Sequence, residues 1–198
     1  MEHIARYLKE TEEIVNRIDA RQVDRVISVL ETIRQAGGRL FFLGVGGSAA
    51  NASHAVNDFR KLCGFEAYAP TDNVAELSAR VNDDGWDSTF AAWLEQSRLG
   101  AGDGVFVFSV GGGSVERNIS PNLVRAVDHA KKVGAKVLGV VGRADGYAAR
   151  MADACVVIPT VNAATVTPHA EEFQAVVWHL IVSHPRLRVR EAKWESVK

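Results

Sequence analysis

Cysteine is scarce: Cys63 and Cys155, in 198 residues, are too few and too far apart for a disulfide framework or a cysteine-rich zinc motif. Both read as reduced thiols of a cytoplasmic protein. Long hydrophobic runs are lacking as well. No stretch reaches the ~18–20 apolar residues of a membrane span, and Met1-Glu2-His3-Ile4-Ala5-Arg6-Tyr7 has no apolar core of a secretory signal. Neither charge sign dominates. The 23 Lys and Arg against 24 Asp and Glu leave a formal net charge of −1, which gives no general reason to expect nucleic acid or an anionic membrane as partner. Arg186, Arg188 and Arg190 gather near the carboxyl end and read as a solvated cationic tail. With 47% hydrophobic and 24% charged content, the chain reads as one globular domain with a real core.

Glycine is where the sequence becomes specific. Phe41-Phe42-Leu43-Gly44-Val45-Gly46-Gly47-Ser48 is a short apolar run that ends abruptly in glycines and a serine before a helical pattern starts. Glycine lets the chain turn tightly and approach a ligand closely. Ser48 then stands where an N-cap belongs, beside free N–H groups and the positive end of a helix dipole. One such loop is also an ordinary tight turn of an open α/β sheet. A second, Val105-Phe106-Val107-Phe108-Ser109-Val110-Gly111-Gly112-Gly113-Ser114, repeats the arrangement. Two loops at the carboxyl ends of parallel strands converge on one crevice. Neither matches a dinucleotide fingerprint or a P-loop, so a sugar phosphate held by serines and backbone amides is favoured over a nucleoside triphosphate.

The rest of the chain fits that frame. Apolar residues at helical spacing from about 3 to 35 predict two helices with a break at Asp19 or Ala20, and Gly37-Gly38 ends the second. A pair that precedes the first strand packs on the sheet from outside or against another subunit, and its many apolar positions favour oligomer packing. Further helices are expected over 49–62, 88–99, from Pro121 to Gly134, over 147–151 and from about Pro168 to Ser183. Strands are expected over 65–69, 136–141 and 155–158, and Asn82-Asp83-Asp84-Gly85-Trp86-Asp87 reads as a loop. Strands alternating with helices predict an α/β protein with a doubly wound parallel sheet.

Two helices carry metal-ligand types. His54 and Asp58 stand four apart, and Glu171 and His179 stand eight apart, so each pair returns to one helix face. Two such helices can meet as a four-ligand site for zinc or another divalent ion. Each pair alone also makes an ordinary surface ion pair. His179 lies inside Val176-Val177-Trp178-His179-Leu180-Ile181-Val182, which argues against free solvent exposure, and Trp86, Trp93 and Trp178 read as packing residues.

These motifs, in this order, resemble a sugar isomerase (SIS) domain, and more closely the bacterial phosphoheptose isomerase family. The resemblance covers nearly the whole chain. It implies a single domain over 1–198, with residues 1–36 used in oligomer packing and 37–198 forming a flavodoxin-like three-layer core. It implies a cytoplasmic homotetramer with active sites at subunit interfaces. It places one zinc or other divalent ion on His54, Asp58, Glu171 and His179, with Asp58 and His179 as the acid–base pair. Phosphate and sugar contacts fall at Ser48, Asn82, Asp83, Ser109, Gly111, Gly112, Gly113 and Ser114. The implied reaction interconverts sedoheptulose 7-phosphate and heptose 7-phosphate through an enediol.

Several positions depart from the family pattern. Val45 replaces the usual asparagine, Asp58 a glutamate and Glu171 a glutamine, and Val110 and Gly111 replace two hydroxyl residues. Ser114 to Pro121 resembles a short insertion, in which Arg117 can supply a compensating phosphate contact. Two other readings fit the same residues: isomerisation of a different phosphosugar, and a non-catalytic SIS module that binds a phosphosugar or a protein such as a replication initiator.

Overall fold

The computed structural model describes residues 1–191; the last seven positions of the expected domain lie outside the described residues. The chain opens with helices α1 (Glu2–Arg17) and α2 (Ala20–Gln35). Asp19 separates them and caps α2, its side chain accepting a hydrogen bond from the Arg21 N–H. There follow β1 (Leu40–Leu43), α3 (Gly47–Cys63), β2 (Ala67–Tyr68), α4 (Val74–Asp84), α5 (Thr89–Gln96), β3 (Gly104–Ser109), α6 (Pro121–Lys132), β4 (Lys136–Val141), α7 (Tyr147–Met151), β5 (Ala154–Val157) and α8 (Val166–Ser183).

All strand pairs are parallel, in the order β2-β1-β3-β4-β5. This is the doubly wound, flavodoxin-like order, with the topological switch point between β1 and β3. Side chains alternate across the strands. Phe42, Phe106 and Phe108 point to one face, into a core shared with α2, α3 and α8. Phe41, Leu43, Val105 and Val107 point to the other, against α5, α6 and α7. The strands read as apolar runs because both faces are covered.

The amino-terminal pair divides its work. Helix α2 buries Val23, Val26, Ile27, Leu30 and Ile33, and its Gln22 Oε1 accepts the Val157 N–H at 2.9 Å, which partners a backbone donor of the edge strand β5. Helix α1 buries only Glu10 and Ile14 and leaves Ile4, Leu8 and Val15 exposed.

Four expectations are corrected. Ser48 is not the N-cap: Gly46, at φ 64°, takes that place, and Ser48 lies in the first turn of α3. Asn82, Asp83 and Asp84 form the end of α4 rather than a loop, because Gly85 at φ 80° delays the helix stop. His179 is about half exposed, because Val177, Trp178, Ile181 and Val182 form the inward stripe of α8. Arg186 is no solvated tail: it bonds Glu31, Asp24 and Ser28 on α2, while Arg34 donates to the carbonyls of Arg186 and Leu187. Arg188 and Arg190 are exposed as expected.

Candidate active site

Helices α3 and α8 pack side by side on the Phe42–Phe106–Phe108 face of the sheet. Their facing surfaces bring together residues 120 positions apart. Asp58 is buried and is the centre of the group. Its Oδ2 lies 3.6 Å from His54 Nε2 and 3.5 Å from His179 Nε2. The same oxygen accepts a hydrogen bond from Trp178 Nε1 at 3.1 Å, and Oδ1 accepts one from Asn57 Nδ2 at 3.1 Å. The two imidazoles meet edge to face, with centroids 5.4 Å apart and planes at 83°.

Second contacts fix the rings. His179 Nδ1 lies 2.8 Å from the Ala175 carbonyl oxygen, an acceptor, so the proton belongs on Nδ1 and the Nε2 lone pair faces Asp58. His54 packs against the edge of Trp178 at 5.3 Å, and Trp178 stacks on Phe108 at 5.7 Å. The site is thereby tied to the end of β3.

One ligand atom from each of His54, Asp58 and His179 lies within 4.8 Å of the others. Two imidazole nitrogens and a carboxylate oxygen around one point form a donor set that zinc accepts with a position left open. Glu171, the fourth expected ligand, is elsewhere. Its Oε2 would lie 2.5 Å from a Cβ at Gly47, so the carboxylate sits against the amino end of α3. Eight helical residues return to one face but are separated by about 12 Å along the axis, and the positive end of α3 suits a carboxylate.

The glycine loops hold their serines in different ways. Ser48 is buried, and its Oγ accepts a hydrogen bond from Gln174 Nε2 at 3.0 Å. Asn51 Nδ2 in turn donates to Gln174 Oε1 at 2.8 Å and to the Glu171 carbonyl at 2.9 Å. The Ser48 hydroxyl therefore faces α8. Ser109 Oγ accepts the Gly112 N–H at 3.0 Å and shapes the second loop. Gly112 and Gly113 there have positive φ, and the neighbouring Gly146 packs so closely that a Cβ would lie 2.3 Å from the Gly111 oxygen. Ser114 and Arg117 project from the following turn. Asn82 donates to Asp83 at 2.8 Å, and neither bonds the triad or the glycine loops.

Sequence patterning missed Trp178, Asn51 and Gln174. Trp178 sits in an apolar run and reads as core, which it is, yet its one polar atom is spent on Asp58. Polar Asn51 and Gln174 at helical spacing within buried stripes were the available signal.

A parallel sheet ordered 2-1-3-4-5, with glycine loops after β1 and β3 and a His–Asp–His cluster between α3 and α8, has known counterparts. The family pattern of the SIS domain matches residues 6–142. The phosphoheptose isomerase of Sulfurimonas denitrificans is 30% identical over 183 residues, covering 90% of this chain and 86% of that one. The chain is a SIS-domain protein of the phosphoheptose isomerase family. The phosphoheptose isomerase of Roseiflexus sp. is 33% identical over 159 residues, covering 77% of this chain and 74% of the relative. The solved phosphoheptose isomerase of Francisella tularensis shares the fold, with a TM-score of 0.78 over 91% of this chain and 95% of that one at 21% identity. The SIS-domain match runs through the first glycine loop, His54, Asp58 and the second loop. The α8 residues lie beyond it, so in this SIS domain the site is completed by the segment outside the matched region.

Proposed function

We propose that the protein is an aldose–ketose isomerase acting on a phosphorylated sugar, with sedoheptulose 7-phosphate as substrate and the heptose 7-phosphate as product. The observation that carries this reading is the convergence of His54, Asp58 and His179 between the facing helices α3 and α8 of a phosphoheptose isomerase fold. His54, Asp58 and His179 hold a divalent ion, with zinc matching the donor set. A bound ion supplies Lewis-acid polarisation of the substrate's carbonyl and hydroxyl oxygens.

The remaining chemistry belongs to the side chains. Isomerisation removes a proton from the carbon next to the carbonyl, passes through an enediol and returns a proton to the adjacent carbon, with no net oxidation. His179 Nε2 and Asp58 Oδ2 lie 3.5 Å apart, and since a lone pair given to an ion takes no proton, the one of the two that is not holding the ion at a given stage moves the proton. Of the two, His179 is the more exposed and meets the substrate first. Trp178 and Asn57 hold the Asp58 carboxylate in place, and Ala175 holds the imidazole tautomer.

Assembly belongs to the same reading. Val176, His179 and Leu180 share the outward stripe of α8 with spacings of three and four residues. Together with the exposed Ile4, Leu8 and Val15 of α1, they form an apolar face suited to a second copy of the chain, and a homotetramer in the cytoplasm follows the family pattern.

The test is conversion of sedoheptulose 7-phosphate by the purified protein, before chelation, after chelation and after zinc readdition, with His179→Ala alongside. Metal-dependent product lost in the variant supports the assignment. No turnover in any metal condition by a folded protein would overturn it.

A further inference from the structure

The His54–Asp58–His179 group spans α3 and α8, so its geometry depends on where along their axes the two helices meet. Apolar packing sets that position weakly. Between Ser48, Asn51 and Asp58 on the inward stripe of α3 stand Ala52 and Ala55, both fully buried. Single methyl groups interlock less than large side chains do, and close interlocking is what makes a core adopt one alignment.

Polar groups fill the role that the alanines leave. Gln174 of α8 is fully buried, a place where an unpaired amide is costly, and each of its polar atoms is used. The direction of every bond follows from one end. The Glu171 carbonyl oxygen only accepts, so Asn51 must present Nδ2 to it, at 2.9 Å. The same nitrogen donates to Gln174 Oε1 at 2.8 Å, which leaves Gln174 Nε2 to donate to Ser48 Oγ at 3.0 Å. One arrangement of the two amides satisfies all three bonds. A slide of either helix along its axis strains the three together and unmatches buried donors and acceptors, which costs more than the bonds contribute when made.

These bonds lie close to the triad along both helices. Gln174 precedes Trp178 by one turn, and Asn51 precedes Asp58 by two. Ala175, whose carbonyl holds the His179 Nδ1 proton, is the residue next to Gln174. The two contacts that cross from α8 to Asp58, from Trp178 Nε1 at 3.1 Å and His179 Nε2 at 3.5 Å, therefore inherit the alignment that the amides fix.

We propose that Asn51 and Gln174, with Ser48 as their anchor on α3, are positioning residues of the metal site: their buried bonds set the register of α8 against α3 and so the approach of His179 and Trp178 to Asp58. They act through those side chains and not on the ion. A polar network buried in an apolar contact specifies one alignment when every member is paired. The inference deepens the metal reading above and rests on it for its zinc measurement alone.

The Trp178 indole N–H reports the register directly, because its acceptor lies on the other helix. The experiment follows hydrogen exchange of that N–H by NMR in the metal-free full chain, relative to the most protected backbone amides, which report global unfolding. Zinc affinity is measured alongside by competition with a chromophoric chelator. The proteins are the wild type, Q174M, N51A and V177A. Q174M keeps the length of the side chain and loses both bonds. N51A removes the other amide at a half-buried helical position that alanine suits, and it decides the question if Q174M does not fold. V177A loosens the same helix by removing two buried methyl groups and leaves the network whole. In Q174M and N51A the relative exchange of the indole N–H is expected to rise at least about tenfold, and zinc affinity to fall about tenfold. V177A is expected to match the wild type in both. Wild-type exchange in Q174M or N51A overturns the proposal. So does V177A behaving like them, since any loosening of α8 would then suffice. Failure of the functional reading looks different. A wild type that binds no zinc removes the metal, and the indole exchange alone then decides the register. Zinc binding that follows the expected pattern without turnover of sedoheptulose 7-phosphate keeps the positioning role and changes only the substrate.

Discussion

At the residue scale, Asp58 and Trp178 act as a unit. An aspartate reaches one methylene less far than the glutamate usual in the family, and here its Oδ2 is held by the indole N–H while both imidazoles face it. Groups that orient a ligand typically change metal affinity by ~10–100-fold when removed. Trp178→Phe keeps an aromatic ring beside Phe108 but removes the donor together with part of a fully buried side chain. The expected result is zinc affinity about tenfold weaker in a chelator competition, with a stability loss of ~2–3 kcal/mol from the lost hydrogen bond and the cavity together in thermal melts. Unchanged affinity would show that Asp58 is placed by the helices alone. The cysteines lead to a second prediction. Burial pushes the Cys63 thiol up to about 11 and the Cys155 thiol up to about 12. At pH 8 the fully buried Cys63 should therefore react with a thiol-specific disulfide reagent only at the rate of unfolding, with the half-buried Cys155 slowed only by its raised pKa, and rapid labelling of Cys63 would contradict its burial.

At the scale of elements, one contact ties the first helix to the last. The buried Glu10 of α1 accepts hydrogen bonds from Asn162 at 2.7 Å and Thr165 at 2.8 Å and lies 3.0 Å from His169 Nε2. Tyr7 stacks on the His169 ring with centroids 4.4 Å apart and bonds Glu172 through its hydroxyl. Asn162 first, then His169 and Thr165, pull the Glu10 carboxyl down to about 2. Because the folded value lies below the unfolded one, the stabilisation is complete above about pH 4.5 and is lost as pH falls toward 2. Glu10→Gln should lower the melting temperature at pH 7, with the difference shrinking to nothing near pH 2 in scanning calorimetry; a constant difference across that range would refute the linkage. Sequence patterning could not find this clasp. Glu10 reads as one more polar residue of an amphipathic helix, and its partners lie over 150 positions away. Local signals did give most of the helices and strands to within a few residues, because the apolar periods and glycine stops are strong, but they did not give the span of α4. They misplaced Ser48, Asn82 and Asp83, where a single positive-φ glycine moves a helix boundary. Of the site, spacing gave His54, Asp58 and His179, but spacing cannot say where along its axis a helix meets its neighbour. Glu171 shows that limit.

At the scale of the whole molecule, the site and the unpartnered apolar surface are continuous. His179 stands between Val176 and Leu180, which are 48% and 45% exposed, on the outer stripe of α8. A groove of about 350 Å³ beside it is lined by Val15, Ile18 and Val23 from the amino-terminal region and by Val176 and Leu180. Burying such residues contributes roughly 25 cal/mol per Å² of apolar surface, so a second copy placed there gains stability and also closes the open side of the site. Catalysis and assembly should then fail together when the face is charged, and separately when the triad is cut. Leu180→Glu puts a carboxylate into the stripe one residue from His179 without touching a triad side chain. It is expected to shift the protein toward smaller species in sedimentation velocity and to lower kcat at least about tenfold, within the ~100-fold that misplacing a site by an ångström can cost. His179→Ala should abolish turnover while sedimenting like the wild type. A dissociated Leu180→Glu protein with full kcat would show that one subunit holds a complete site, and the apolar face would then serve stability alone.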